Sequence, residues 1–222
     1  PLRKFQNTLL TLSSLLQNLI VGPRTDMTSL KSITRNEILP YAEYAESRKE
    51  RKRALTEKKR NRRIEVGPHA TFYFENYDTM WHQIHEMIYI ERGGEDQIPD
   101  ELAAYNPLIP QGRELIATVM FEIGDPIRRS NVLGSLGGIE DTMYINVDGQ
   151  RIRGDAETDV DRTSAEGKAS SVQFVHFPFS DQQAAAFISG TGDVIVGFTH
   201  PNYTHAAGMT AQIRQALSED FD

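Results

Sequence analysis

Cysteine is absent from this sequence of 222 residues. The chain therefore forms no disulfide bond, no zinc site built on thiolates and no iron–sulfur cluster held by its own cysteines. Any metal would be bound by His, Asp, Glu or Tyr, and we expect at most one divalent ion, Zn, Fe or Mn, at such a site. The lack of Cys also permits a reducing compartment without proving one.

A long hydrophobic run is missing as well. Residues 5–23, FQNTLLTLSSLLQNLIVGP, carry no charge, and ten of these nineteen residues are not strongly apolar, so no transmembrane span is expected. The large apolar side chains recur at steps of three and four residues, as in an amphipathic helix: Phe5, Leu9, Leu12, Leu16 and Leu19. For residues 1–26 three interpretations stay open: an appended or processed segment such as a targeting sequence, a docking helix of the fold, or a helix on a membrane surface.

The common catalytic signatures are also missing. The chain has no GxxxxGK[ST] phosphate loop, no GxSxG nucleophile turn and no HExxH zinc helix. Acidic residues alternate as in a calcium loop at Asp155, Glu157, Asp159 and Asp161, but Val160 stands where that loop needs glycine for its sharp turn. We interpret this segment as a solvated acidic loop.

One stretch is intensely basic. Residues 48–63, RKERKRALTEKKRNRR, hold ten basic and two acidic residues and carry +8, which leaves −15 for the rest of a chain whose net charge is −7. The sequence predicts a long helix here, capped near Asn36 and without a face that joins the core. Such a helix attracts an acidic partner. The residues expected to bind that partner are Arg48, Arg51, Lys52, Lys58, Lys59 and Arg62.

A second helix, predicted over residues 78–91, has a polar face opposite its apolar stripe. His82, His85, Glu86 and Tyr89 share that face, and His82 and Glu86 are one turn apart, the spacing that lets two ligands meet one ion. The alternative is a polar face that meets water. Glu91 falls in line with the apolar stripe, so we expect its carboxylate to turn inward toward Arg92 or the basic helix.

The segment HPNYTH, residues 200–205, follows the last predicted strand. His200, Tyr203 and His205 bring three potential ligands or proton carriers into six residues. Two imidazoles with a carboxylate from elsewhere make a workable metal site. The alternative is a hydrogen-bonded turn with Pro201 at its corner.

The order of predicted elements indicates an α+β fold. Helices pack on a mixed, largely antiparallel sheet, and Asp148-Gly149 supplies the turn of a clear hairpin. The expected organisation is an appended segment over 1–26, a lead-in and basic helix over 27–63, and an α+β domain over 64–222.

Several stretches resemble a bacterial family of unknown function: EILPYAEYAESR, VGPHATFYFEN running into DTMWHQIHEM, DELAAYNPLIPQG, GIED and HPNYTH. They occur in order from about residue 33 to the C-terminus. The resemblance implies a gene neighbourhood with rubrerythrin and with an iron–sulfur subunit like that of heterodisulfide reductase. It therefore implies a partner of that kind in a cytoplasmic redox or peroxide-handling system.

The resemblance also marks candidate site residues. Positions that match the family pattern are Glu75, Asn76, Gln83, Glu86, Met87, the Tyr105–Pro110 loop with Asn106, His200, Pro201, Tyr203 and His205. His82, His85 and Gln173 depart from it. From this set we expect Glu75, Glu86, His200 and His205 as metal ligands. The expected binding residues are Asn76, Gln83, Glu91, Asn106 and Tyr203.

Three functions compete on the sequence alone. The first is an accessory subunit that docks an acidic or iron–sulfur partner through the basic helix. The second is a metal-dependent enzyme or sensor that uses His200 and His205 with Glu75 or Glu86. The third is nucleic-acid binding through Arg48–Arg63, which the −15 remainder and the lack of aromatic residues in the basic run disfavour. A homo-oligomer stays open in each case.

Overall fold

The computed structural model describes residues 30–157, 162–165 and 167–221. The predicted segment 1–26 and the acidic positions Asp159 and Asp161 lie outside these ranges. No helix within the described ranges is long and apolar enough to cross a membrane. The α-helices are α1 Tyr41–Arg60, α2 Tyr77–Glu91, α3 Ile98–Tyr105, α4 Pro126–Gly134, α5 Asp181–Ile188 and α6 Ala211–Ser218.

Within these ranges nine strands form two sheets, and every strand pair among them is antiparallel. The strands are β1 Arg63–Val66, β2 Ala70–Glu75, β3 Glu114–Phe121, β4 Met143–Val147, β5 Gln150–Arg153, β6 Asp155–Ala156, β7 Val172–Pro178, β8 Val194–Phe198 and β9 Ala206–Gly208. The five-stranded sheet has the order β1-β2-β3-β7-β6, and the four-stranded sheet has the order β5-β4-β8-β9. The predicted α+β class is confirmed, with two antiparallel sheets in place of one mixed sheet.

The main core lies between the two sheets. Residues of β3 alternate, so that Leu115, Ala117 and Val119 point into this core. Phe72 of the large sheet and Phe198 of the small sheet meet with ring centroids 5.2 Å apart. The predicted hairpin joins β4 to β5, and both turn residues have positive φ, 48° at Asp148 and 83° at Gly149.

A second core covers the outer face of the large sheet. Ile116 of β3 points away from the first core and packs with Ile84 and Ile88 of α2 and with Ile98 of α3. The outer sheet face near Glu75 is therefore roofed by α2 and α3, and α1 packs in turn on α2.

The basic helix α1 differs from its prediction in two ways. It begins at Tyr41 after Pro40, whereas Asn36 lies in a 3-10 turn over Arg35–Glu37. It also contributes to the interior, because Tyr44 is 2% exposed and Leu55 is buried. The expectation that no face of this helix joins the core is wrong.

Candidate functional site

The segment HPNYTH forms a tight turn between β8 and β9. His200 is buried, its Nε2 lies 3.2 Å from the carbonyl oxygen of Gly137, and its Nδ1 accepts the amide N–H of Asn202 at 3.2 Å. Because Nδ1 accepts, the imidazole is neutral with its proton on Nε2, which donates to Gly137. Both ring nitrogens are thus used in holding the turn.

Tyr203 fixes the neighbouring β1–β2 turn. Its hydroxyl donates to the carbonyl of Val66 at 2.8 Å and accepts the amide N–H groups of His69 and Ala70, each at 3.0 Å. Burial raises the pKa of this phenol. At the same turn Gly67 has φ 69°, and a Cβ there would lie 2.6 Å from Cγ of His205, so only glycine fits. These contacts are those of the hydrogen-bonded turn, the alternative that the sequence left open.

The four residues expected to bind a metal do not converge. The His200 ring is hydrogen-bonded to the carbonyl of Gly137, while the Glu86 carboxylate accepts hydrogen bonds from Arg48 of α1. In the described ranges, no group of three or more His, Asp or Glu residues is arranged to hold a metal ion. Metal binding stays a prediction, and the structure supplies no assembled set of ligands for it.

The polar face of α2 meets α1 rather than water. Glu86 accepts two hydrogen bonds from Arg48, at 2.7 and 2.8 Å, and a third from the Tyr44 hydroxyl at 2.8 Å. The Arg48 hydrogen bonds lower the pKa of Glu86, with a further contribution from Tyr44. Arg48 also lies over the Tyr89 ring, 4.5 Å from its centroid. This bidentate pair sets how α1 lies on α2.

His85 joins α2 to the lead-in of α1. Its Nδ1 donates to the carbonyl of Trp81 at 2.7 Å, and its Nε2 accepts the Leu39 amide N–H at 3.0 Å, so the ring is neutral. The residue is 2% exposed, and burial lowers its pKa to about 4. His82 lies on the same face, and burial lowers its pKa too.

The cations of the basic stretch divide into two sets. One set has partners on α2: Arg51 lies 4.9 Å from the Trp81 ring centroid, and Lys58 pairs with Asp78. Arg62 is 5% exposed and bonds to Asp220 at 2.5 Å, so its predicted role in partner binding is wrong. Four further cations of α1 are exposed and do not bond to α2: Lys49, Lys52, Arg53 and Arg60, of which Arg60 pairs with Glu57 on the same helix at 3.0 Å. We call these four the outer basic face.

The side chains of two expected binding residues, Asn76 and Asn106, form hydrogen bonds with the backbone. Asn76 caps α2, since its side chain accepts the amide N–H of Thr79 at 3.1 Å. Asn106 holds the lead-in by hydrogen bonding to both the N–H and the C=O of Ile33, at 2.7 and 3.0 Å.

The prediction that the Glu91 carboxylate turns inward is wrong. Glu91 is exposed and accepts a hydrogen bond from Gln97 at 3.1 Å.

Gln83 and Glu75 lie on the inner sides of α2 and of the large sheet. Gln83 donates to the Tyr105 hydroxyl at 3.4 Å, which links α2 to α3. Glu75 ends β2, is 5% exposed and accepts the Thr118 hydroxyl at 2.7 Å through Oε1. Its other oxygen, Oε2, has no hydrogen-bond partner among the described residues.

Sequence reasoning missed a charged network on β7. His176 Nδ1 lies 2.9 Å from Glu114, and its Nε2 lies 3.6 Å from Glu157. The hydrogen bond to Glu114, and after it the interaction with Glu157, raises the pKa of His176 to about 9, so this imidazole is a cation at neutral pH. The carboxylates lie far from His176 in sequence, and no local spacing pointed to them.

Comparison with known proteins agrees with the resemblance. The model of a family described as protein of unknown function, DUF3501, matches residues 32–221. The chain belongs to this family. The crystal structure of a novel protein of unknown function from Burkholderia pseudomallei K96243 is similar to it, with 33% identity and a TM-score of 0.80, over 86% of this chain and 100% of that one. No curated protein matches this DUF3501 chain.

Proposed function

We propose that this protein is an accessory binding subunit that docks an acidic protein partner through the outer basic face of α1. One observation carries the proposal. Arg48, Lys58 and Arg62 pair with carboxylates elsewhere in the chain, and Arg60 pairs with Glu57 on α1 itself. Lys49, Lys52 and Arg53 are exposed and form no ion pair within the described residues, on a protein of net charge −7. A localised positive surface on an acidic protein attracts and orients an acidic partner.

The mounting of α1 supports this role. Glu86 and Tyr44 fix α1 on α2, and the stacked rings of Tyr41 and Tyr89, 5.2 Å apart, add a further contact. A helix held in this way presents its outer side chains from a rigid frame, which reduces the entropy lost on binding. The inner face of α1 is therefore the support and the outer face the binding surface.

The resemblance supports a choice of partner. Family members are expected beside a rubrerythrin and an iron–sulfur subunit, and a chain without cysteine contributes no cysteine-ligated cluster of its own. We propose that the partner is one of these two redox proteins, bound through acidic residues on its surface.

Binding of the purified partners tests the proposal. The charge-reversal variant is Lys49→Glu/Lys52→Glu/Arg53→Glu, which spares every residue that bonds to α2. The matched control, Arg128→Glu/Arg151→Glu/Lys168→Glu, makes the same change of charge at exposed positions outside α1. We expect the first variant to bind the rubrerythrin-type protein or the iron–sulfur subunit about 10- to 100-fold more weakly, since each exposed charge pair contributes up to about 1 kcal/mol.

Two results contradict the proposal. In one, both triple variants bind the partners as tightly as the wild type, or both weaken equally, so that only net charge matters. In the other, the wild type binds neither redox protein but binds random duplex DNA with a steep salt dependence that the α1 variant loses. That result would assign the basic face to nucleic acid.

A further inference from the structure

A buried carboxylate oxygen on the outer face of the large sheet lacks a hydrogen-bond donor. Glu75 is 5% exposed, its Oε1 accepts the Thr118 hydroxyl, and its Oε2 reaches no donor among the described residues. Buried carboxylate oxygens in folded proteins are almost always paired, because an unpaired one costs several kcal/mol, of order 1–3 or more. A species that supplies positive charge or donors at Oε2 would remove that cost.

The sheet register and the two roofing helices define what surrounds Glu75. In the antiparallel ladder Glu75 lies directly opposite Ile116, and Thr118 lies opposite Phe174, so these side chains share one face. Tyr105 of α3 packs against the hydrophobic cluster that contains Ile116. Gln83 of α2 holds the Tyr105 hydroxyl at 3.4 Å. We call Glu75, Thr118, Gln83 and Tyr105 the Glu75 cluster.

The electrostatic surroundings of the cluster are negative. Burial raises the pKa of Tyr105, and the carboxylates of Glu101, Glu91 and Glu75 raise it further. Glu101 is itself buried. The guanidinium of Arg62 donates to the backbone carbonyl of Glu75, but its charge is paired with Asp220. A cation is therefore favoured over a neutral molecule beside Oε2.

We propose that the Glu75 cluster binds a small monovalent cation, ammonium or potassium. The charge of the site decides which class of ion it binds. Glu75 offers one unpartnered carboxylate oxygen, and Thr118 adds a neutral hydroxyl oxygen in contact with that carboxylate, while the neutral side chains of Gln83 and Tyr105 lie on the two covering helices. A dedicated protein site for Ca²⁺ draws on several carboxylates and carbonyl oxygens, and the described part of the chain assembles no group of three or more His, Asp or Glu for a metal ion. The proposal is independent of docking through α1.

Thermal unfolding at constant ionic strength tests the site. The full-length protein is unfolded in choline chloride, a cation too large for a buried site, and then in ammonium, potassium or sodium chloride. A cation that binds only the folded state raises Tm with its concentration. We expect a rise of several degrees in ammonium or potassium chloride, and the difference between these two salts identifies the preferred ion.

Two variants separate the site from general salt effects. Glu75→Gln removes the charge but keeps the shape, and we expect it to lose the rise in Tm. Glu122→Gln is the matched control, because Glu122 also accepts hydroxyls on this sheet face, from Thr71 at 2.7 Å and Tyr73 at 3.0 Å, but is exposed. It should keep the rise. An equal rise in Glu75→Gln, or none in the wild type, overturns the proposal.

A second measurement does not depend on the variants folding. Crystals of the wild type soaked in thallium(I), a potassium and ammonium analogue, should show an anomalous peak beside Oε2 of Glu75. If the density there is an ordered water that thallium does not replace at any concentration, water alone satisfies this oxygen and the inference is wrong.

Discussion

Protonation of one buried imidazole should loosen the attachment of α1. His85 accepts the Leu39 amide N–H through Nε2 and donates through Nδ1 to Trp81. A proton added at Nε2 would place two N–H groups against each other where α1 is joined to its lead-in. The wild type should therefore lose stability in acid through this residue, and His85→Gln, which keeps an acceptor but does not titrate, should not.

The magnitude follows from the two pKa values of His85. Burial lowers the pKa in the folded state to about 4 from 6.5 in the unfolded chain. Below pH 6.5 the unfolded state takes up the proton first, so the free energy of unfolding falls by at most about 1.4 kcal/mol per pH unit until about pH 4. Between pH 8 and pH 5 the loss due to His85 is about 2 kcal/mol.

Urea unfolding at pH 8 and pH 5 measures this loss. The single tryptophan, Trp81, has its ring centroid 3.7 Å from that of His85, so its fluorescence reports on this contact. The contribution of His176 to stability grows as the pH falls over the same range, because the pKa of His176 is raised in the folded state. The relevant quantity is thus the free energy of unfolding lost between pH 8 and pH 5 by the wild type minus that lost by His85→Gln. If the two lose the same stability within about 0.5 kcal/mol, His85 does not hold the lead-in as described.

Two further predictions concern other contacts. Tyr203→Phe should lower the free energy of unfolding by about 1–3 kcal/mol, since it leaves three backbone groups, two of them buried, without their partner; urea unfolding that shifts by less than about 0.5 kcal/mol contradicts this. His176→Gln should remove stability that is fully present below pH 6.5 and is lost as pH rises through about 9. Because a quarter of the His176 side chain is exposed, we expect about 1–2 kcal/mol. NMR titration of the imidazole gives the pKa directly, and an ordinary value contradicts the network.

Local chemistry explains the parts of the fold that the sequence predicted well. The pair Asp148-Gly149 favours positive φ at two successive residues, and this backbone conformation is typical of a hairpin turn. The apolar stripe predicted for α2 is Met80, Ile84, Met87 and Ile88, of which three are buried and Met87 is half-buried. Such features need only the nearest neighbours in the chain.

The features that failed depend on distant residues. The polar face of α2 is covered by a helix that is itself polar, joined by Arg48 and Glu86, and no hydrophobic pattern predicts that pairing. Glu91 was placed inward by helical periodicity, but α2 ends at that residue and Arg92 turns into the left-handed region with φ 57°, so the periodicity no longer applies. The unpartnered oxygen of Glu75 could not be predicted from the sequence either, because strand register decides which residues surround it.

Covalent capture of the docked complex tests the central claim most directly. A carbodiimide joins lysine amines to carboxylates only when they are in contact, so the wild type is cross-linked to the purified rubrerythrin-type protein or iron–sulfur subunit and the joined peptides are identified. Docking through the outer basic face predicts bonds from Lys49 or Lys52 to acidic residues of the partner, and none from Lys168, an exposed lysine outside α1. Bonds from Lys168 with none from Lys49 or Lys52 would place the partner elsewhere and contradict the account.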